Sequence, residues 1–160
     1  MRKTLLAFVT SLLMVDPVLA QPALFRRDRS CEQAINTITT TLQENNNVEL
    51  EFGVYNHIGN APPDRQLGLV VWLDPPNSRG EAQQILNIFN SPQLLISLSR
   101  NVINSCRQAS TVTYGIESTN HGKTIGLVNG QIREFQCVPV PPGVNPMDTP
   151  TPRWGQVYCP

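Results

Sequence analysis

The side chains able to do acid–base or metal chemistry are few and widely spaced. His57 shares a loop with Asp64 and Arg65, His121 lies in a second turn, and Glu49 and Glu51 form a carboxylate pair. His57 oriented by Asp64 would make a general base, the arrangement a hydrolase uses to draw a proton from a nucleophile. A histidine in a polar loop is more commonly just solvated, and that plainer reading is preferred. Asn120-His121-Gly122 is better explained as turn chemistry, because Asn and Gly accept left-handed backbone. Glu49 and Glu51 stand two apart, so on a strand they project from one side, and a solvated sheet face accounts for them. The chain has no G-x-S-x-G, phosphate loop or H-E-x-x-H. Neither a metal nor a cofactor is expected.

Cys31, Cys106, Cys137 and Cys159 are the cysteines, and no two are close in sequence. An even number without C-x-x-C spacing points to disulfides and away from a metal site. Disulfides need an oxidising compartment, and the amino terminus offers a route to one. Arg2 and Lys3 precede an apolar run from Leu5 to Val15, a Pro17 break and Val18-Leu19-Ala20. That is the pattern of a signal peptide cleaved after Ala20, and the run is shorter than the roughly 20 residues of a spanning helix. Secreted or periplasmic localisation, without a transmembrane segment after cleavage, is expected. Loss of residues 1–20 leaves ten basic and eleven acidic side chains, a net charge of about −1. Such a balance lacks the basic stripe a nucleic-acid partner would need. Residues 21–29, with Arg26, Arg27 and Arg29, read as a flexible leader.

From there the elements follow in order. Ser30 with Gln33 forms a capping box for a helix whose stripe is Cys31, Ala34, Ile35, Ile38 and Leu42, ending at Asn45-Asn46-Asn47. VELEFGVYN alternates, with Val48, Leu50, Phe52 and Val54 on one face and Glu49, Glu51, Gly53 and Tyr55 on the other, the pattern of a half-buried strand. LGLVVWL, 67 to 73, is a denser apolar strand. Ser78 with Glu81 opens a helix carrying Ala82, Ile85, Leu86 and Phe89, and Ser91-Pro92 restarts it toward Cys106. Residues 111–137 form a β-meander whose second turn, Asn129-Gly130, suits a type I′ hairpin. Six prolines then fill an extended stretch between Pro139 and Pro152 before Trp154 and Cys159.

Direction constrains the topology. If the two middle helices act as one ascending crossover, Cys31 and Cys106 reach the same end of the molecule, within the roughly 7 Å that a bridge spans. Cys137 and Cys159 then pair by elimination, and the tail is pinned back. The third strand runs antiparallel to the first and parallel to the second, so the simplest all-antiparallel sheet has the order 2-1-3-4-5 with helices on one face. The expected fold is α+β and disulfide-stabilised, with a domain at 30–138 and a proline-rich tail at 139–160. Loop-closure entropy assigns the first bridge about 4 kcal/mol and the second about 3.

The outward face of this sheet is the candidate binding surface. Glu49, Glu51 and Tyr55 project from the first strand, Thr111, Thr113 and Glu117 from the third, and Trp72 joins them from the second. Aromatics beside carboxylates suit a sugar or a peptide strand; coverage by the tail through Trp154 is the competing expectation, and the favoured one. The Cys-led first helix, the N-S-P helix start, the late Ser-Cys, the G-I-E-S-T-N turn, F-Q-C and the closing W-G…C resemble small exported cyanobacterial proteins of unknown function, over Cys31 to Cys159. That resemblance implies an exported compartment and a structural role for the cysteines, and it supplies no catalytic residue. The expected function is a noncatalytic binding or envelope-associated module; the alternative is a small secreted hydrolase with a loop-built site.

Overall fold

A computed structural model of the chain describes residues 28–44, 48–57, 61–74, 79–143 and 149–159. The signal segment and most of the leader lie outside them, as do Asn45, Asn46, Asn47 and Ser78. Three helices, α1 (Arg29–Thr39), α2 (Arg79–Phe89) and α3 (Pro92–Ser105), pack against a sheet of β1 (Glu49–Asn56), β2 (Leu67–Asp74), β3 (Ala109–Ile116), β4 (Gly122–Val128) and β5 (Gln131–Glu134). A two-stranded sheet, β6 (Gln136–Val138) with β7 (Gln156–Tyr158), closes the chain.

The α+β class is as expected, but the strand order is not. The sheet runs β1-β2-β3-β4-β5, and β2 pairs with β3 in parallel. The strand directions are as expected, and so are the β1–β2, β3–β4 and β4–β5 pairs; the difference is that β3 lies beside β2 and not beside β1. An all-antiparallel sheet, the simplest arrangement of these directions, would put β1 between β2 and β3. The long α2–α3 connection is instead the crossover that parallel neighbours require. β2 therefore becomes an interior strand, hydrogen-bonded to β1 on one side and β3 on the other, in keeping with its dense apolar composition.

Alternation then sorts each strand. Leu50, Leu69, Val71, Leu73, Val112, Tyr114 and Ile125 face the helices and are buried with Ile35, Ile38, Leu95 and Ile103. At about 25 cal/mol per Å², such burial is the main favourable contribution to folding. Tyr114 is fully buried; its hydroxyl lies 3.3 Å from the donating Ser99 hydroxyl, and burial pushes its phenol well above the ordinary tyrosine range.

Helix ends depart from the capping expectations in detail. Asp28, not Ser30, caps α1, accepting from the Ser30 N–H at 3.0 Å. The Ser30 hydroxyl donates to the same carboxylate at 2.7 Å, and these two bonds hold Asp28 below the usual carboxylate range. Along α1, the Thr37 and Thr40 hydroxyls bond carbonyls one turn back, and the helix widens into a π-turn over Thr40–Glu44. Ser91 stands at the N-cap of α3 with Pro92 following, yet its hydroxyl donates to the Asn87 carbonyl at 2.8 Å and leaves α3 without a side-chain cap.

Both disulfides pair as expected. Cys31–Cys106 joins the start of α1 to the end of α3 with Cα atoms 4.6 Å apart, and Cys137–Cys159 joins β6 to the end of the tail with Cα atoms 5.1 Å apart. Arg65 braces the first junction, since its guanidinium donates to the carbonyls of Ile103 and Ala109 and so caps α3. The Asn129-Gly130 turn has φ of 53° and 77°, the two positive angles of a type I′ hairpin. In the preceding turn the left-handed residue is Ser118, with φ 59°, where Asn120 and Gly122 had been expected to bend the chain.

Candidate functional site

The outward face of the sheet is built from three cross-strand rows, each following from the register. Tyr55, Gly68, Thr111 and Gly126 form the first; Gly53, Val70, Thr113 and Thr124 form the second; Glu51, Trp72, Gly115 and Gly122 form the third. Glycine inside a strand marks a close approach by another group. Here that group is an aromatic ring. A Cβ on Gly68 would strike the Tyr55 ring, one on Gly115 the Trp72 ring, and one on Gly126 the Phe135 ring. Missing side chains on β2, β3 and β4 thus let the rings lie flat on backbone, which restores the packing that glycine forfeits.

The tail covers the first row. Gly155, at φ 88°, turns the chain beside Val128, and the Trp154 indole N–H donates to the Leu127 carbonyl at 2.8 Å. The Trp154 ring stands edge-on to His57 at 4.9 Å and to Phe135 at 5.1 Å, while His57 meets Tyr55 at 4.7 Å. Such edge-to-face contacts are favourable beyond their buried area. His57 Nε2 lies 2.7 Å from Thr111 Oγ1, which also bonds the Tyr55 hydroxyl at 3.1 Å. Burial among these groups lowers the pKa of His57 below its ordinary value. Asp64 is exposed, and the hydrogen bond of His57 goes to Thr111 instead. Arg65 is committed to capping α3, so the three loop residues do not converge on a reacting centre.

The third row stays open. Trp72 is 38 % exposed although its ring rests on Gly115. On one side of it lies a cleft of about 340 Å³ lined by Thr113, Asn120, His121, Thr124 and Tyr158. On the other lies a hollow of about 230 Å³ formed by Glu51, Glu117, Ser118 and Thr119. Trp72 is thus the ridge between two concavities. Thr119 shapes the wall, its hydroxyl donating to the Ile116 carbonyl at 2.9 Å and accepting the His121 N–H at 3.1 Å. Tyr158 is held by donating its hydroxyl to the Pro150 carbonyl at 2.7 Å.

Of the residues singled out from sequence, Trp72 and Glu51 are cross-strand partners in the open row. Tyr55 is two rows away under the tail, and Glu49 lies beyond Glu51 at the end of β1, opposite Asp74. His57 and His121 stand at opposite ends of β3, as its register requires. Thr113 and Glu117 had been placed on this face; Asn120, Thr124 and Tyr158 had not. The strand glycines 68, 115 and 126 were the available signal for the stacked rings. The tail covers the first row, as the expectation of coverage through Trp154 has it, and leaves Trp72 in the third row exposed.

No family model, curated protein or solved structure matches the chain.

Proposed function

We propose that the protein is an exported, noncatalytic binding module whose ligand seats on the Trp72 row of the outward sheet face. One observation carries this reading. The tail that shields Tyr55 and His57 walls the cleft beside Trp72 through Val157 and Tyr158 but leaves the indole, backed by Gly115, 38 % exposed between two concavities. An exposed aromatic on a firm base gives contact area at small entropic cost.

A loop-built hydrolase would gather groups of shifted ionisation into one cleft. Here Asp28 caps α1, His57 lies under the tail and Tyr114 is in the core, three separate places. Export is supported by the amino-terminal signal pattern, by two disulfides and by the resemblance to small exported cyanobacterial proteins. Among the described residues no helix is long and apolar enough to cross a membrane. A secreted or periplasmic module of this kind would meet envelope components first.

The test is co-sedimentation of the purified mature chain with isolated cell-envelope material. The wild type should sediment, and Trp72→Ala, with its thermal midpoint measured in parallel, should lose about tenfold or more in affinity. Equal sedimentation of both proteins would contradict the proposal.

A further inference from the structure

Building on the binding-module reading, we infer that the ligand of the Trp72 row is a neutral saccharide chain, one pyranose ring stacking on the indole and its neighbours reaching into the flanking concavities. The chemistry of the surface selects this class. A pyranose has an apolar C–H face and a rim of hydroxyls that both donate and accept. The indole face suits the first. The rim suits the second, because donors and acceptors alternate around the ring: the Trp72 N–H donates, Asn120 does both, and Glu51 and Glu117 accept. No described residue hydrogen-bonds any of these four side chains, so each retains its capacity for a ligand.

Other ligand classes fit less well. An anion would need a counter-charge, and among the described residues neither concavity is lined by lysine or arginine. An apolar small molecule would need enclosure, whereas the cleft is an open one of about 340 Å³, near the lower end of the roughly 300–1,000 Å³ typical of such sites. A peptide adding as a strand needs a free sheet edge. Trp72 is on β2, whose backbone is already paired on both sides. A cation would be drawn to the two carboxylates and the indole face, but the larger concavity offers it hydroxyl, amide and imidazole groups and no carboxylate.

The carboxylates thus flank one side of the stacking ring, while hydroxyl, amide and imidazole groups flank the other. Charge-assisted hydrogen bonds from sugar hydroxyls to Glu51 or Glu117 would fix orientation. Gly115 lies under the indole and supports it, and Gly122, next in the same row, adds no side chain beside it.

The test is isothermal titration of the mature, disulfide-intact chain with five probes. Two are neutral, cellohexaose and N-acetylated chitohexaose; the others are the fully deacetylated, cationic chitosan hexamer, hexagalacturonate and pentalysine. At least one neutral hexasaccharide should bind, with Trp72→Ala weakening it about tenfold or more and Trp72→Phe less. Glu117→Gln should weaken it while leaving the thermal midpoint in place. Binding of the cationic hexamer or pentalysine through Trp72, without the neutral probes, would overturn the saccharide inference and leave the module reading standing. So would Trp72-dependent sedimentation with envelope material when no probe binds. Neutral-probe binding that Trp72→Ala leaves unchanged overturns the inference directly. Absence of both probe binding and sedimentation overturns the inference and the module reading together.

Discussion

The ring of Trp72 lies across the backbone of Gly115, its direct partner in the parallel β2–β3 pair, closely enough that a methyl group there would collide with it. Gly115→Ala should therefore cost about 1–3 kcal/mol through overpacking. In a Trp72→Ala background the same change should be neutral or slightly stabilising, because alanine loses less chain entropy than glycine. Denaturant unfolding of the four proteins of this cycle measures the coupling, expected to exceed about 1 kcal/mol. A coupling near zero would mean that the ring does not rest on Gly115.

Local chemistry was the legible part of the fold. Asn129-Gly130 specified its turn because few residues tolerate two successive positive φ angles, and the alternation separated core from surface over Val48 to Glu51, whereas Phe52 to Tyr55 are all half-buried. Strand direction was also readable, since the helical crossover sets it. The neighbour of β3 was not, because β3 beside β1 and β3 beside β2 satisfy the same directions, and only the packing of the crossover on the sheet chooses between them. The cluster of Tyr55, His57, Phe135 and Trp154 joins residues up to 99 positions apart, and no local periodicity encodes such a meeting. Ser30 was mistaken for the cap of α1 for a simpler reason. Two potential capping residues stand two apart, and the carboxylate of Asp28 accepts from both groups of Ser30.

The burial of His57 gives the fold a pH dependence of known sign. Its folded pKa lies below the ordinary 6.5, so on acidification the unfolded chain takes up the proton first. Stability is full above about pH 6.5 and falls as the pH drops from there toward the folded pKa. Thermal midpoints of wild type and His57→Gln between about pH 8 and about pH 5 should show the smaller acid loss in the variant. Parallel curves for the two proteins would contradict the burial of a neutral imidazole beneath Trp154.

The two disulfides differ in access. Cys31 and Cys106 are 1 % and 2 % exposed, whereas Cys137 is exposed and Cys159 half-buried. Limited reduction followed by differential alkylation should label Cys137 and Cys159 first, because thiol exchange requires approach to a sulfur. Prior labelling of Cys31 and Cys106 would contradict the packing of α1 on α3.

Arg65 should act on stability through α3. Arg65→Ala removes charge-assisted bonds to the Ile103 and Ala109 carbonyls and should cost about 1–3 kcal/mol in denaturant unfolding. An unchanged unfolding midpoint would show that the guanidinium does not cap the helix.

The most direct measurement of the central claim follows the two indole N–H signals in a ¹⁵N–¹H spectrum while soluble envelope fragments are added. Trp154 donates to Leu127 beneath the covered row, and Trp72 stands in the open one. The Trp72 indole signal should shift, together with the amides of Gly115 and Asn120, while that of Trp154 holds its position. Movement of Trp154 and His57 with Trp72 unmoved would place the binding face elsewhere and contradict the account.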